Sequence, residues 1–284
     1  MINNIEQCLI ADPEIMKLQP ILKQHLANCI ERSNVVDVLI QKINGVFDVV
    51  LTGPVGKKGS PDLSVMQMAA DLIQQTKIVR FSWREKFHDE CDVIVEKEPV
   101  KINFGAMEIT LPPASFLQPT EAGEQALINA VVKALPKTGH QADLFCGGGT
   151  FTGPMIENLK KGTVDAFETN QRAIEALDRE AKFKGLPLKA IERDLFKLPL
   201  TLDELNKYEA LVFDPPRAGA KNQVALLARS NIKTIVAVSC NPVTFARDAR
   251  VLSEGGYEFD TIQMIDQFTQ SHHVEVVGTF KKVI

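Results

Sequence analysis

Apolar positions recur along this chain with two periods, and the points where the period changes mark its organisation. Over residues 12–30 they fall at Ile15, Leu18, Ile21, Leu22 and Leu26, the three-to-four spacing of an amphipathic helix, with Pro13 suited to its first turn. Short apolar runs follow at 35–40, 46–51, 78–82, 93–95, 100–104 and 107–111, and these predict strands. Gly53-Pro54, Gly56 and Gly59 punctuate them as loop signals, and 65–75 reads as a helix between strands. Residues 31–115 are therefore expected to form a small mixed α/β domain with a largely antiparallel sheet, preceded by a helical segment over 1–30.

Past Pro112-Pro113 the rhythm alternates. Helix 121–135, strand 141–145, helix 152–159, strand 163–167, helix 171–184 and strand 188–192 succeed one another. Strands 210–213 and 234–239 follow, with helices around 223–228 and 242–252. Alternation of this length predicts an α/β fold with a mostly parallel, doubly wound, Rossmann-like sheet. Two closing runs, 258–264 and 274–280, have no helix between them, so an antiparallel hairpin at the sheet edge is expected. The boundary falls near 112–120 and leaves 116–284 as the larger, chemistry-bearing domain.

With 284 residues, 45% hydrophobic and 24% charged, the chain is globular in composition. No apolar run reaches the roughly 18 residues of a membrane helix. The first residues lack the basic and apolar stretches of a secretory signal, so a cytoplasmic location is expected. A net charge of −4 provides no whole-chain basic footprint for nucleic acid, which leaves a small-molecule enzyme or an RNA enzyme whose positive face is local. The 5 cysteines (Cys8, Cys29, Cys91, Cys146, Cys240) include no CxxC pair and no metal-ligand spacing, so neither a disulfide framework nor a metal site is expected.

Three features place a ligand at strand ends. Asp143-Leu144-Phe145-Cys146-Gly147-Gly148-Gly149-Thr150 is a strand running into a glycine turn and a helix, where missing side chains let backbone approach a ligand. Its spacing is not G-x-G-x-x-G, so a pyrophosphate is not its natural guest. Glu168 ends the next strand, where a carboxylate can accept the ribose hydroxyls of an adenosine, and Asp194 follows the third, within reach of an adenine edge. A lone acid at a strand end is more often a helix cap; the ordered set points to an adenosine-bearing cofactor.

The chemistry concentrates in three further stretches. Asp214-Pro215-Pro216-Arg217 follows an apolar strand, and paired prolines fix the spacing of a carboxylate and a guanidinium; a simple strand terminator reads equally well. In Val238-Ser239-Cys240-Asn241-Pro242 a cysteine closes a strand just before a helix, whose N-terminus is expected to stabilise its thiolate. An isolated cysteine is usually a small buried apolar residue. Ser239 and Asn241 weaken that reading for Cys240, whereas Cys146, Cys29 and Cys91 fit it. Gln270-Ser271-His272-His273-Val274-Glu275 opens the last strand; one histidine is expected to be structural, and a lone Glu on an edge strand is normally solvated.

From about Leu111 onward the chain resembles the uracil-5-methyltransferases that act on tRNA and ribosomal RNA. The resemblance rests on Ser115-Phe116-Leu117-Gln118, Asp143-Leu144-Phe145-Cys146-Gly147, Asp214-Pro215-Pro216-Arg217, Ser239-Cys240-Asn241-Pro242 and His273-Val274-Glu275, five blocks in the family's order. It implies a class I S-adenosylmethionine-dependent methyltransferase fold, with Cys240 matching the nucleophile and Glu275 the proton-abstracting base. Gln118, Phe145, Glu168, Asp194 and Asp214 match cofactor-binding positions; Gly147, Gly149 and Thr150 fall in the same turn, and Arg217 and Asn241 stand where substrate is met. Many relatives place an Asn two residues after the Gln, where this chain has Thr120. Relatives usually carry an N-terminal β-barrel RNA-binding domain and three cysteines of a four-cysteine iron–sulfur cluster, which are missing here. Cys8 looks like the fourth ligand, and one thiolate cannot hold a cluster, so none is expected. A truncated product or a shortened lineage is the expected origin.

The partner so implied is a tRNA or rRNA, not DNA or a membrane, met by a monomer, with Lys57, Lys58, Arg80, Arg84, Lys86, Arg217 and Arg247 as candidate phosphate contacts. Rival readings are a cytosine-5 RNA methyltransferase, against which Arg217 stands where a cysteine would be needed; an exocyclic-amine methyltransferase, which would want an aromatic there; and a non-catalytic RNA-binding remnant.

Overall fold

The computed structural model describes residues 4–268, 271 and 273–283. His272 and Gln270 lie outside the described residues. The chain divides into two compact units, Met1–Ile102 with Thr110–Ala114, and Asn103–Ile109 with Ser115–Ile284.

In the first unit, α1 (Pro13–Leu26) begins at Asp12, whose carboxylate accepts from Glu14 N. Strands β1 (Asp37–Ile43), β2 (Val46–Thr52), β3 (Ile78–Arg84) and β4 (Asp92–Glu96) form one sheet in that order, and α2 (Leu63–Gln75) joins β2 to β3. The outer pairings are antiparallel, whereas β2 and β3 run parallel because α2 supplies the crossover a parallel pair needs. The 1–30 segment is not separate: Leu18, Leu22 and Leu26 of α1 share a core with Phe47, Leu51, Leu72 and Phe81. Arg80, expected to face phosphates, is 2% exposed. Its Nε and Nη2 donate to the Asp48 carboxylate at 3.0 and 2.7 Å and Nη1 to Leu111 O at 2.7 Å, so the guanidinium is committed inside the protein.

A two-stranded hairpin, β5 (Lys101–Phe104) and β6 (Met107–Thr110), stands apart from the four-stranded sheet, contrary to its expected place in it.

The second unit alternates as expected: α3 (Glu121–Ala134), β7 (Thr138–Leu144), α4 (Thr152–Asn158), β8 (Lys161–Glu168), α5 (Gln171–Lys184), β9 (Leu188–Glu192), α6 (Leu202–Leu205), β10 (Ala210–Phe213), α7 (Lys221–Leu227), β11 (Thr234–Ser239), α8 (Pro242–Glu254), β12 (Tyr257–Ile265) and β13 (Glu275–Lys282). The seven strands lie in the order β12-β13-β11-β10-β7-β8-β9, parallel from β11 to β9. β10 and β11 are buried at every position, which explains their unbroken apolar sequence. The closing hairpin forms, but β13 is not the edge. It inserts antiparallel between β11 and β12, and that insertion decides the chemistry at the rim.

Candidate active site

The strand order reverses between β7 and β10, and open α/β sheets bind ligands outside the carboxyl ends of their strands at such a switch point. A cavity of about 430 Å³ opens there, a volume suited to a small-molecule ligand. Its walls include Gln118, Phe145, Gly147, Thr150, Glu168, Asp194, Asp214, Arg217, Cys240 and Glu275, which the fold brings together from seven segments.

β7 ends in a tight turn. Phe145 holds a left-handed backbone (φ 63°), an uncommon and strained conformation for a non-glycine residue, and Gly147 follows at φ 53°. A side chain added at Gly147 would meet nothing within 4 Å, so the turn leaves open space on the cavity wall. Gly149 serves differently: it is absent from the wall, and an added Cβ would lie 2.6 Å from Leu177 of α5, so it permits packing. Behind the turn, Asp143 is fully buried and its Oδ2 accepts from Thr152 Oγ1 at 2.6 Å; burial raises its carboxyl to about 7.

Glu168, at the end of β8, accepts from the backbone of Gly147 (3.1 Å), Thr169 (2.7 Å) and Asn170 (3.0 Å), which fixes its carboxylate against the glycine turn. Asp194 takes the amides of Phe196 and Lys197 and pairs with the Lys197 ammonium at 3.0 Å. The rings of Phe145 and Phe196 pack against each other on the cavity wall, tilted by 51° with centroids 5.4 Å apart, and sequence reading missed Phe196. Phe116, 74% exposed on the rim, was also missed, although it stands within one of the motif blocks. Arg193, likewise on the wall, ties its loop through Glu204, Leu198 O and Pro199 O.

On the other side of the switch point, β13 runs antiparallel to β11 with Ser239 opposite Val276. Cys240 follows Ser239 and Glu275 precedes Val276, so the end of this pairing brings both onto the cavity wall, near enough for the Glu275 carboxylate to act on the thiol. Insertion of β13 thus takes Glu275 from the solvated edge expected of it to the cavity wall. Asn241 does not line the cavity: its Oδ1 caps α8 at Val243 N (3.0 Å) and its Nδ2 donates to Arg217 O (3.2 Å), so it braces the Asp-Pro-Pro-Arg loop. Arg217 Nη2 donates to His273 Nδ1 at 3.2 Å. Thr120 caps α3, its Oγ1 accepting from Gly123 N at 3.1 Å, a task Asn performs as well.

Comparison with known proteins bears on this arrangement. The tRNA (Uracil-5-)-methyltransferase family description matches residues 189–283, and the Methyltransferase small domain description matches residues 117–235. An uncharacterized RNA methyltransferase of Mesorhizobium japonicum is 45% identical over 67% of this chain and 46% of its own length. Another, of Caulobacter vibrioides, is 33% identical over 98% of this chain and 66% of its own. The chain belongs to a family of RNA methyltransferases. Its fold is that of a class I methyltransferase: the Pyrococcus abyssi tRNA (uracil-54, C5)-methyltransferase, solved with S-adenosyl-L-homocysteine, superposes with a TM-score of 0.73 at 21% identity, over 99% of this chain and 70% of that one. The chain spans about half the length of the Mesorhizobium relative.

The electrostatics of this family member's cavity differ from expectation at one point. The Cys240 thiol is pushed up, not down: burial disfavours the thiolate, the Glu275 and Asp214 carboxyls add repulsion, and Arg217 offsets only part. Asp214 is raised to about 8 by burial and by the charges of Glu275 and Asp143, and burial raises Glu275 despite Arg217. A group whose charged form is disfavoured ionises later, so Cys240 in the free protein gains reactivity as pH rises. Its alkylation by iodoacetamide, followed on the peptide by mass spectrometry, is expected to titrate alkaline of an ordinary cysteine (about 8.5). Arg217→Met removes the compensating cation and moves the curve further alkaline. An unchanged or acid-shifted curve in that variant contradicts the electrostatic account.

Proposed function

We propose that this protein transfers a methyl group from S-adenosylmethionine to carbon 5 of a uridine in tRNA or rRNA, with Cys240 as covalent nucleophile and Glu275 as base. The observation that carries this reading is that β13, paired with β11, brings the Glu275 carboxylate and the Cys240 thiol onto one cavity that Phe145, Glu168 and Asp194 also line. The residues present suit the cofactor. Glu168 retains acceptor capacity toward ribose hydroxyls, the apolar wall formed by Phe145 and Phe196 suits contact with an adenine ring, and Gly147 leaves room at the turn. When bound, S-adenosylmethionine supplies an electrophilic methyl group.

Carbon 5 of uracil is a weak nucleophile. The Cys240 thiolate adds to carbon 6, forming a sulfur–carbon bond and moving electron density to carbon 5 and O4. Asp214, held largely protonated at neutral pH, can donate a hydrogen bond to that oxygen, and Arg217 a charged one. After carbon 5 is methylated, Glu275 takes the remaining proton there, the double bond re-forms and the thiolate departs. Covalent catalysis of this kind divides one hard step into easier ones. The uracil must leave its stack or come from a loop to enter the cavity.

RNA carrying 5-fluorouridine tests the mechanism. Fluorine at carbon 5 cannot be removed by Glu275, so a methylated RNA–Cys240 adduct is expected to accumulate and survive denaturation. Turnover of that RNA without an adduct, or an adduct on another cysteine, refutes the assignment. A methyl group found on cytosine supports the cytosine rival instead.

A further inference from the structure

Gln267 belongs to no motif block used above. It lies on the connection between β12 and β13, the segment that ends in Glu275, and it is 8% exposed. Its Nε2 donates to Gln118 Oε1 at 2.8 Å, joining that connection to the cavity wall in front of α3. Its own Oε1 is buried without a hydrogen-bond partner among the described residues. A buried amide left half-satisfied costs stability, so a purely structural role is poorly served by glutamine at this position.

An independent observation concerns Gly123, buried in the first turn of α3. Its backbone is not left-handed, and glycine within a helix costs about 1 kcal/mol relative to alanine. A Cβ there would lie 2.3 Å from Gln267 Oε1 and 2.5 Å from Gln267 Cγ. Glycine at 123 therefore makes room for the buried Gln267 side chain.

We infer that Gln267 is a positioning residue, which locks the Gln118 side chain so that its NH₂ is presented to the cofactor in the cavity. An amide has a carbonyl that accepts and an amino group that donates. With the Gln118 carbonyl taken by Gln267, its amino group is the end left to be offered to the cavity that Gln118 lines. The inference rests on the proposed cofactor reading of that cavity and adds the device that sets the polarity of one of its walls.

Calorimetric titration of the full chain with S-adenosylhomocysteine tests it without turnover. Gln267→Met keeps the bulk and removes the hydrogen bond, and is expected to weaken binding about 3- to 10-fold, the worth of one such bond. Gln118→Ala weakens it at least as much, and the double variant no further, because Gln267 acts through Gln118. Gln267→Glu can only accept, so it turns the Gln118 amide around and also weakens binding. Gly123→Ala crowds the buried Gln267 side chain and is expected to lower both the Tm and the affinity, whereas in the Gln118→Ala background it lowers the Tm alone, a split that a merely structural role does not produce. Unaltered affinity in Gln267→Met, or additive losses in the double variant, overturns the inference while the cofactor site stands. If the unmodified protein does not bind S-adenosylhomocysteine, it is the reading of the cavity that fails.

Discussion

Cys240→Ala is expected to lower RNA methylation by about 10⁴-fold or more, the scale of losing a covalent nucleophile. Binding of S-adenosylhomocysteine is retained, because the groups suited to the adenosine, Glu168, Asp194 and the Phe145 and Phe196 rings, lie on the other side of the switch point. The two measurements together separate the thiol's chemistry from the integrity of the cavity. Methylation surviving in the alanine variant excludes a covalent thiol. No methylation in the parent protein, across tRNA and rRNA substrates, favours a non-catalytic remnant.

Glu275→Gln is expected to have a nearly comparable effect of a different kind, cutting turnover about 10²- to 10⁴-fold through loss of the general base. The charge of Glu275 is among the influences that hold the Cys240 thiol up, second only to burial. Replacing the carboxylate with a neutral amide lowers that thiol, so addition to carbon 6 is preserved or eased while proton removal stops. The variant therefore accumulates a covalent adduct with ordinary uridine RNA, visible as a shifted band on a denaturing gel. Reduced activity with no adduct, together with Cys240 alkylation displaced to higher pH, contradicts the proposed division of labour.

The cavity gathers several groups that burial makes hard to charge. Asp143, Asp214, Glu275 and Cys240 all have raised values, first of all from burial; Glu275 and Asp143 add to the rise of Asp214, and Glu275 and Asp214 to that of Cys240. Arg217 is the cation that offsets Cys240 and Glu275. A cluster of this sort in a cleft is a common mark of a working site, since structural groups are seldom left so poorly solvated.

Much of the second unit was legible along the chain. Helix 171–184 matches α5 residue for residue, with Asn170 as its cap and Gly185 left-handed at its end. Strands 188–192, 210–213 and 234–239 match β9, β10 and β11; β10 and β11 are legible because buried parallel strands need unbroken apolar runs bounded by turns, whereas the half-buried edge strand β9 alternates with polar residues. The motif blocks fall at strand ends, and so most of the chosen site residues reach one cavity. Helix α6 escaped, although Thr201 and Glu204 form a capping box that announces it.

By itself the sequence determined the elements, their α/β alternation and the chemical types at each strand end, because these depend on period and on residues a few positions apart. Only the tertiary structure decided which strands are neighbours. It put β13 between β11 and β12 and so carried Glu275 to Cys240; it paired β2 with β3 in parallel, enclosed Arg80 against Asp48, and turned Asn241 and Gly149 from ligand contacts into a brace and a packing site. Strand order, burial and the mutual repulsion of buried charges arise between residues distant in sequence, and no local pattern encodes them.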